Sequence, residues 1–464
     1  MSIILLLPGI ISFRLVLRGR VETAFLSVYL PSLLLLPQDY SYRIPHLPPF
    51  SAAEFALMPI GFVAFWQHLR GGSFRLMDAL VFLFWVSWSL SEIVGEPVMN
   101  DGILSAVSAI VFYLLAYATG RRLIEPDLRL ETVRRIVIFI LLLGPIGLYE
   151  WRFLQSPYAL FEGKVLHIPP TSLYAYSAGA GGIGVQVRNG RGRMSVSLGG
   201  GELAGIVIAV TFALNAWLVF LNKERTKFDL GKRFAKLQKY HLPGLLLVFY
   251  LWLTQSRGPM IALAAGFPVL QIPRFKNPKL AIGLVATLLI AGGLGAQQYF
   301  SRYTEVKGIS TVGEEQASAI YRREMLIAYQ SIAEMGGWLG WGGSGIPTVG
   351  GMKSIDNQFL LVHLMQGEFG YIVWILIVVE SVRTGVARIL TLQALEDRAF
   401  ACSALAALAI LWISYYTVYM GAQLPQITFL LLGWSQSITA ARTSTASVTV
   451  PVAQPKLAFQ RVLR

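Results

Sequence analysis

The chain is a procession of apolar runs long enough to cross, or nearly cross, a bilayer, each closed by charges or turn residues. Twelve are read, near 21–37, 51–68, 76–94, 103–119, 134–149, 198–221, 242–256, 258–272, 279–297, 357–380, 399–419 and 423–440. A transmembrane helix needs roughly 20 apolar residues, so these runs claim about half of the 464 residues. Only 14% of the chain is charged, against about 25% in a soluble globular domain. That scarcity excludes a soluble enzyme, a coiled coil and a disordered scaffold. The expected fold is an all-α polytopic membrane protein of about 12 transmembrane helices.

Residues 1–20 are expected to form a cytoplasmic or interfacial segment. Ile3–Phe13 is too short to cross, and Arg14, Arg18 and Arg20 follow the apolar run, where a signal peptide carries its charge in front. Residues 21–440 form the transmembrane domain. The Ser/Thr/Pro-containing stretch 441–464 reads as a disordered cytoplasmic tail. With both termini cytoplasmic, 27 of the 39 Lys and Arg fall in inner segments and 12 in outer ones. The positive-inside rule supports that orientation. The net charge of +14 is thereby topological and calls for no nucleic-acid partner. The single cysteine, Cys402, cannot form an internal disulfide and reads as a small core residue.

Nine of the twelve outer basic residues are arginines. Most sit in two long periplasmic loops, about 150–197 and 298–356. Long loops usually perform a function, and guanidinium is suited to gripping phosphate through two parallel hydrogen bonds. The first loop holds Tyr149-Glu150-Trp151-Arg152 and a glycine-rich run enclosing Arg188, Arg191 and Arg193. The turn Leu253–Pro259 joins two apolar runs with almost no loop: Ser256 is placed to cap, Gly258 to turn, Pro259 to start the next helix. Arg257, in that turn, reads either as an anion contact or as a snorkelling side chain. In the second loop Tyr321, Met325, Ala328, Tyr329 and Ile332 recur at helical spacing, which predicts an amphipathic helix on the membrane surface. Arg322 and Arg323 fall off that stripe, toward an anionic ligand or lipid head groups. Trp338-Leu-Gly340-Trp-Gly342 is turn-rich. Ser354-Ile-Asp356-Asn357 opens the tenth run, where Asp and Asn are also ordinary caps. His363 reads as a buried neutral histidine. No metal or cofactor motif is present, so neither is expected.

This combination resembles the bacterial O-antigen ligase and polymerase-like superfamily of membrane glycosyltransferases. The matching residues are Ser256-Arg257-Gly258; Tyr149-Glu150 with Arg188 and Arg191; and a late outer loop running Arg322…Ala328…Gly340-Trp-Gly342…Asp356-Asn357…Gly367…Gly370. The resemblance covers most of residues 20–440, with its strongest motifs in 250–375. It implies a GT-C-like fold and a metal-independent inverting glycosyltransferase of the inner membrane. Such enzymes take a glycan from an undecaprenyl-diphosphate carrier at the periplasmic face and pass it to an acceptor hydroxyl. By position, Arg257 matches the arginine at the end of its span. Arg322 best matches the loop arginine, with Arg323 second, and Arg188 or Arg191 matches the arginine of the earlier loop.

Ligases of this superfamily tend to carry histidine-asparagine where this chain has Asp356-Asn357. The difference favours polymerisation of exopolysaccharide or O-antigen repeat units over ligation to lipid A core or protein. A third alternative is a lipid-linked oligosaccharide flippase or exporter, which gives no reason for arginines to gather outside. In the polymerase reading Arg257 and Arg322 are catalytic, stabilising the departing diphosphate. Asp356 is the candidate base or orienter of the acceptor hydroxyl. Arg188, Arg191, Arg323 and Asn357 bind substrate. A helix N-terminus is expected to lower the basicity of Asp356.

Overall fold

The structure of the protein, a computed structural model, describes residues 2–71, 74–96, 98–124, 126–161, 184–188, 190–224, 230–304, 314–350, 352 and 354–438. The predicted tail 441–464, and the stretches 162–183 and 305–313 of the two long loops, lie outside the described residues.

The fold is mostly helical, and each of the twelve apolar runs falls on a helix or a helical series. In chain order these are α1 (Leu7–Leu17), α2 (Val21–Leu35), α3 (Ala52–Gly71), α4 (Leu76–Gly95), α5 (Met99–Arg122), α6 (Pro126–Phe153), α7 (Gly201–Glu224) and α8 (Leu230–Leu253). There follow α9 (Arg257–Gln271), α10 (Pro278–Tyr303), α11 (Glu314–Met335), α12 (Gln358–Thr391), α13 (Leu395–Tyr415) and α14 (Leu424–Ser437). Among the described residues seven helices are long and apolar enough to cross a membrane: α4, α5, α6, α7, α10, α12 and α13. α10 shows what surrounds them. Only Ala281 and Val285 of its 26 residues are buried, while Leu280, Leu284, Leu288, Ile290 and Leu294 are exposed. A fully apolar exterior is costly in water and ordinary in lipid.

The core is aromatic at its centre. Phe84 of α4, Trp374 of α12, and Tyr113 and Phe429 pack with ring centroids 4.7–5.7 Å apart, in offset and edge-on arrangements that aromatic quadrupoles favour. Beside it α5 and α14 approach backbone to backbone: a Cβ at Gly120 would strike the Leu430 carbonyl, and one at Gly433 the Tyr117 carbonyl. Small residues at such crossings permit the close van der Waals contact that holds membrane helices together.

Two expectations are corrected and one is made more specific. Residues 1–20, expected to be a cytoplasmic or interfacial segment, pack along α3. Leu5 packs with Tyr40 and Ala52, a Cβ at Gly9 would meet Phe55, and Ser12 Oγ donates to the Ala56 carbonyl at 2.7 Å. The segment therefore runs alongside and parallel to α3, and carries Leu5 to the end opposite Arg18 and Arg20. An apolar helix that buries a face against α3 is stabilised more than one left at an interface.

The stripe of α11, expected to lie on a membrane surface, is instead covered by protein. Met325, Tyr329 and Ala333 are buried with Ile346, Ile355, Leu364 and Met365. The second long loop is thus a packed helical cap. The segment 337–342 fixes it in place through an interruption in α12, where Gly367 has φ +63° and ψ −162°. Trp341 N donates to the Leu364 carbonyl at 2.9 Å, Gly342 N to Met365 at 3.0 Å, and Glu368 N to Gly337 at 3.0 Å. Carbonyls and amides freed by the break find partners in the glycine-rich turn. Glu92 of α4 accepts from Gly343 N at 2.7 Å and ties the cap to the bundle.

The second correction concerns Ser256. It precedes α9 but makes no side-chain cap bond there; its hydroxyl is used across the structure, as described next.

Candidate functional site

Helices α7 and α9 begin in contact with one another, and α12 begins within electrostatic reach of them. Ser256 Oγ donates to the Gly201 carbonyl at 2.8 Å, so the first residues of α7 and α9 are in direct contact. Asp356, just before α12, lies within electrostatic reach of Glu202, Arg193 and Arg322. Helix starts carry about half a positive charge each and present unpaired N–H groups.

Arg193 holds this junction together. Its buried guanidinium donates from Nε to the Thr254 carbonyl (3.0 Å) and from Nη2 to Ser256 Oγ (2.7 Å). From Nη1 it reaches Gln186 Oε1 (2.7 Å) and Glu202 Oε1 (2.6 Å). A Cβ at Gly201 would come within 2.8 Å of Arg193 Nε, so glycine is what leaves room for the fork. The stretch after Arg193 is anchored by Glu150, fully buried, whose Oε2 accepts from Ser195 N and Val196 N, both at 2.8 Å.

Arg188 and Arg191 are partners in a two-residue antiparallel ladder of β1 (Val187–Arg188) and β2 (Arg191–Gly192), turned at Gly190, φ +70°. They part there. Arg188 Nη1 donates to the Gln255 carbonyl at 3.0 Å, in the turn where Gln255 itself adopts φ +51°. Burial presses its pKa down, and the guanidiniums of Arg193, Arg322 and Arg257 press further while Glu202 opposes them. Arg191 is exposed and lies over the Trp151 ring, 4.2 Å from its centroid.

Arg257, the first residue of α9, is exposed and lies within electrostatic reach of Arg188. Arg322 of α11 is half-buried: Nη1 donates to Ser318 Oγ at 3.2 Å, and Nε is buried with no hydrogen-bond partner among the described residues. Arg323 turns away, with Nη1 3.4 Å from Thr304 Oγ1. Asn357 caps α12, accepting from Leu360 N at 3.0 Å. Asp356 Oδ1 accepts from Ser354 Oγ at 2.8 Å. Ser354 is clamped in turn by Tyr321, whose hydroxyl is 2.7 Å from its carbonyl and 2.8 Å from its amide. Burial holds the Asp356 carboxyl above its ordinary pKa, against the lowering effects of Ser354 and Arg322. Desolvation thus shifts its basicity opposite to the direction expected from sequence.

Arg188, Arg257, Arg322 and Asp356 therefore face one junction. Arg191, Arg323 and Asn357 serve a ring stack, a loop contact and a helix cap. The residue missed by sequence reasoning is Arg193, whose signal was present in Glu202 nine residues on. His363, read as buried and neutral, is half-buried; its Nε2 lies 3.0 Å from Glu368 Oε1 and its ring stacks on Tyr371. Among the described residues no three His, Cys, Asp or Glu side chains gather where they could hold a metal ion. Arg193 is paired with Glu202, and the junction gathers three further guanidiniums, three helix starts and one carboxyl, a charge distribution that would suit a multiply charged anion. No protein-family model matches the chain, and no curated protein sequence matches it significantly.

Proposed function

We propose that the chain is an inner-membrane glycan polymerase. In this reading it joins exopolysaccharide or O-antigen repeat units by inverting transfer from an undecaprenyl-diphosphate-linked donor at the periplasmic face. The fold is then a GT-C-like arrangement of twelve spans, the shorter helices included. The helix starts of α7, α9 and α12 lie outside and the chain's C-terminus in the cytoplasm; residues before Leu5 lie at the outer end. The observation that carries the reading is the meeting of Arg188, Arg257 and Arg322 at three helix N-termini, next to Asp356.

In the reaction the acceptor hydroxyl oxygen attacks the anomeric carbon as the bond from that carbon to the phosphate oxygen breaks. The hydroxyl proton passes to Asp356, and the diphosphate departs with the bonding electrons. Its developing charge falls on arginines already in place, the arrangement that lowers a barrier most. Guanidiniums here take the role a divalent ion has in other glycosyltransferases.

The test is incubation of the purified protein with lipid-linked repeat units. Ladders of lengthened lipid-linked product are expected. Transfer of preformed glycan to lipid A core or protein, with no lengthening, would instead identify a ligase. No turnover of either kind by protein shown to be folded would remove the enzyme reading.

A further inference from the structure

At the end of α12 remote from this junction lies a second gathering of arginines. A cavity of about 320 Å³ is lined by Arg75, Glu380, Arg383, Thr384, Arg388 and Gln436, among others. Three guanidiniums converge on one oxygen behind it. The Gln436 carbonyl accepts from Arg75 Nη1 at 2.7 Å, Arg121 Nη1 at 2.6 Å and Arg388 Nη2 at 3.2 Å. A carbonyl has two lone pairs, so this acceptor is oversubscribed. Arg388 Nη1, likewise buried, has no hydrogen-bond partner among the described residues.

The acids nearby do not balance these charges. Glu380 is taken by Arg383, through bonds of 2.6 and 2.7 Å. Asp78 lies 3.7 Å from Arg121 and 3.5 Å from His68, and accepts the Tyr117 hydroxyl and the Arg75 amide. Four arginines thus face two carboxylates and the end of α14, whose dipole supplies only about half a negative charge. The sequence beyond α14 brings no relief: residues 439–464 hold Arg442, Lys456, Arg461 and Arg464 and no acidic side chain.

We propose that this cavity binds a phosphate ester group, with Arg388 Nη1, Arg75 and the rim residue Arg383 as its donors. The group is either the head of an anionic phospholipid or a free phosphate. Basic pockets between helices at a membrane's basic side suit such head groups, and a guanidinium fork matches their oxygens. The proposal is independent of the polymerase reading, since it concerns the other end of the molecule.

Full-length protein in neutral detergent is examined by native mass spectrometry with phosphatidylglycerol or phosphatidylcholine, and by thermal unfolding with inorganic phosphate. Preferential retention of phosphatidylglycerol identifies the lipid source; saturable stabilisation by phosphate without lipid preference identifies the free anion. Either effect should weaken about tenfold in Arg388→Gln, the ratio for one charge-assisted hydrogen bond. It should weaken also in Arg383→Gln, whose side chain is 63% exposed and leaves the Gln436 contacts intact. Equal retention of both lipids with no phosphate effect overturns the proposal, as does a preference that both variants keep.

Discussion

The two ends of α12 use the same side chain against opposite fields. At the Arg388 end, guanidiniums crowd onto the C-terminus of α14, where carbonyls point outward and a cation is favoured. At the Asp356 end, Arg188, Arg257 and Arg322 stand beside the N-termini of α7, α9 and α12, where the helix dipoles add to their repulsion. A protein gains no stability from gathering cations at helix starts. The comparison teaches that arginine at the first end has a structural use before any ligand is considered. Arginine at the second meets no such favourable field, and its charges are set against Glu202 and Asp356.

The largest effects should separate the two ends most cleanly. Arg257→Lys and Arg322→Lys keep the charge and lose the fork. Each should lower polymer formation by about 10²–10³, as for comparable charge-stabilising groups, with the protein still in the membrane at normal abundance. Near-normal turnover in both lysine variants would break the contrast, because charge alone would then suffice.

Next in size is a backbone effect. Gly340 has φ +72°, and a Cβ there would run into the Gly367 amide and the Met365 carbonyl. Gly340→Ala should detach the 337–342 segment from the break in α12 and release α11, which carries Arg322. Lost activity with accelerated proteolysis in 314–350 is expected, while α9 and Arg257 stay protected. Uniform protection across the chain would show that the cap does not depend on this contact.

How much of this could be read in the sequence divides along the same line. The helices were legible because apolar runs record the solvent each one meets, and Arg257 because a charge in a near-loopless turn is conspicuous. The choice between Arg191 and Arg193 was not. Both sit in one glycine-rich run, and what separates them is that Arg193 meets Thr254, Ser256 and Glu202 from other elements. Nor could the stripe Met325–Tyr329 announce its partner, since an apolar face fits a bilayer surface and a cap equally well. Ser256 misled for a related reason: a residue able to cap a helix is equally able to bridge two.

A smaller effect tests that bridge. Ser256→Ala removes the acceptor of Arg193 Nη2 and the donor to Gly201. A hydrogen bond to a charged group contributes about 1.5–3 kcal/mol. Thermal stability should fall accordingly, and Ser256→Thr, which keeps the hydroxyl, should recover much of it. Equal losses in both variants would point to packing in place of the hydrogen bonds.

The last effect concerns Asp356, and its sign follows from burial. The carboxyl must be ionised to accept the hydroxyl proton, and desolvation raises its pKa from an ordinary value of about 3.9. Activity should therefore be full at high pH and decline as pH falls through the raised value, so the acid limb of the rate profile sits above that of an ordinary aspartate. Arg322 opposes the rise. Arg322→Gln should therefore move the limb to still higher pH, in addition to its effect on rate. Asp356→Asn should abolish the limb together with most of the turnover. A limb that stays in place in the Arg322 variant, or survives in Asp356→Asn, would assign the proton to another group and leave the junction as an anion receptor alone.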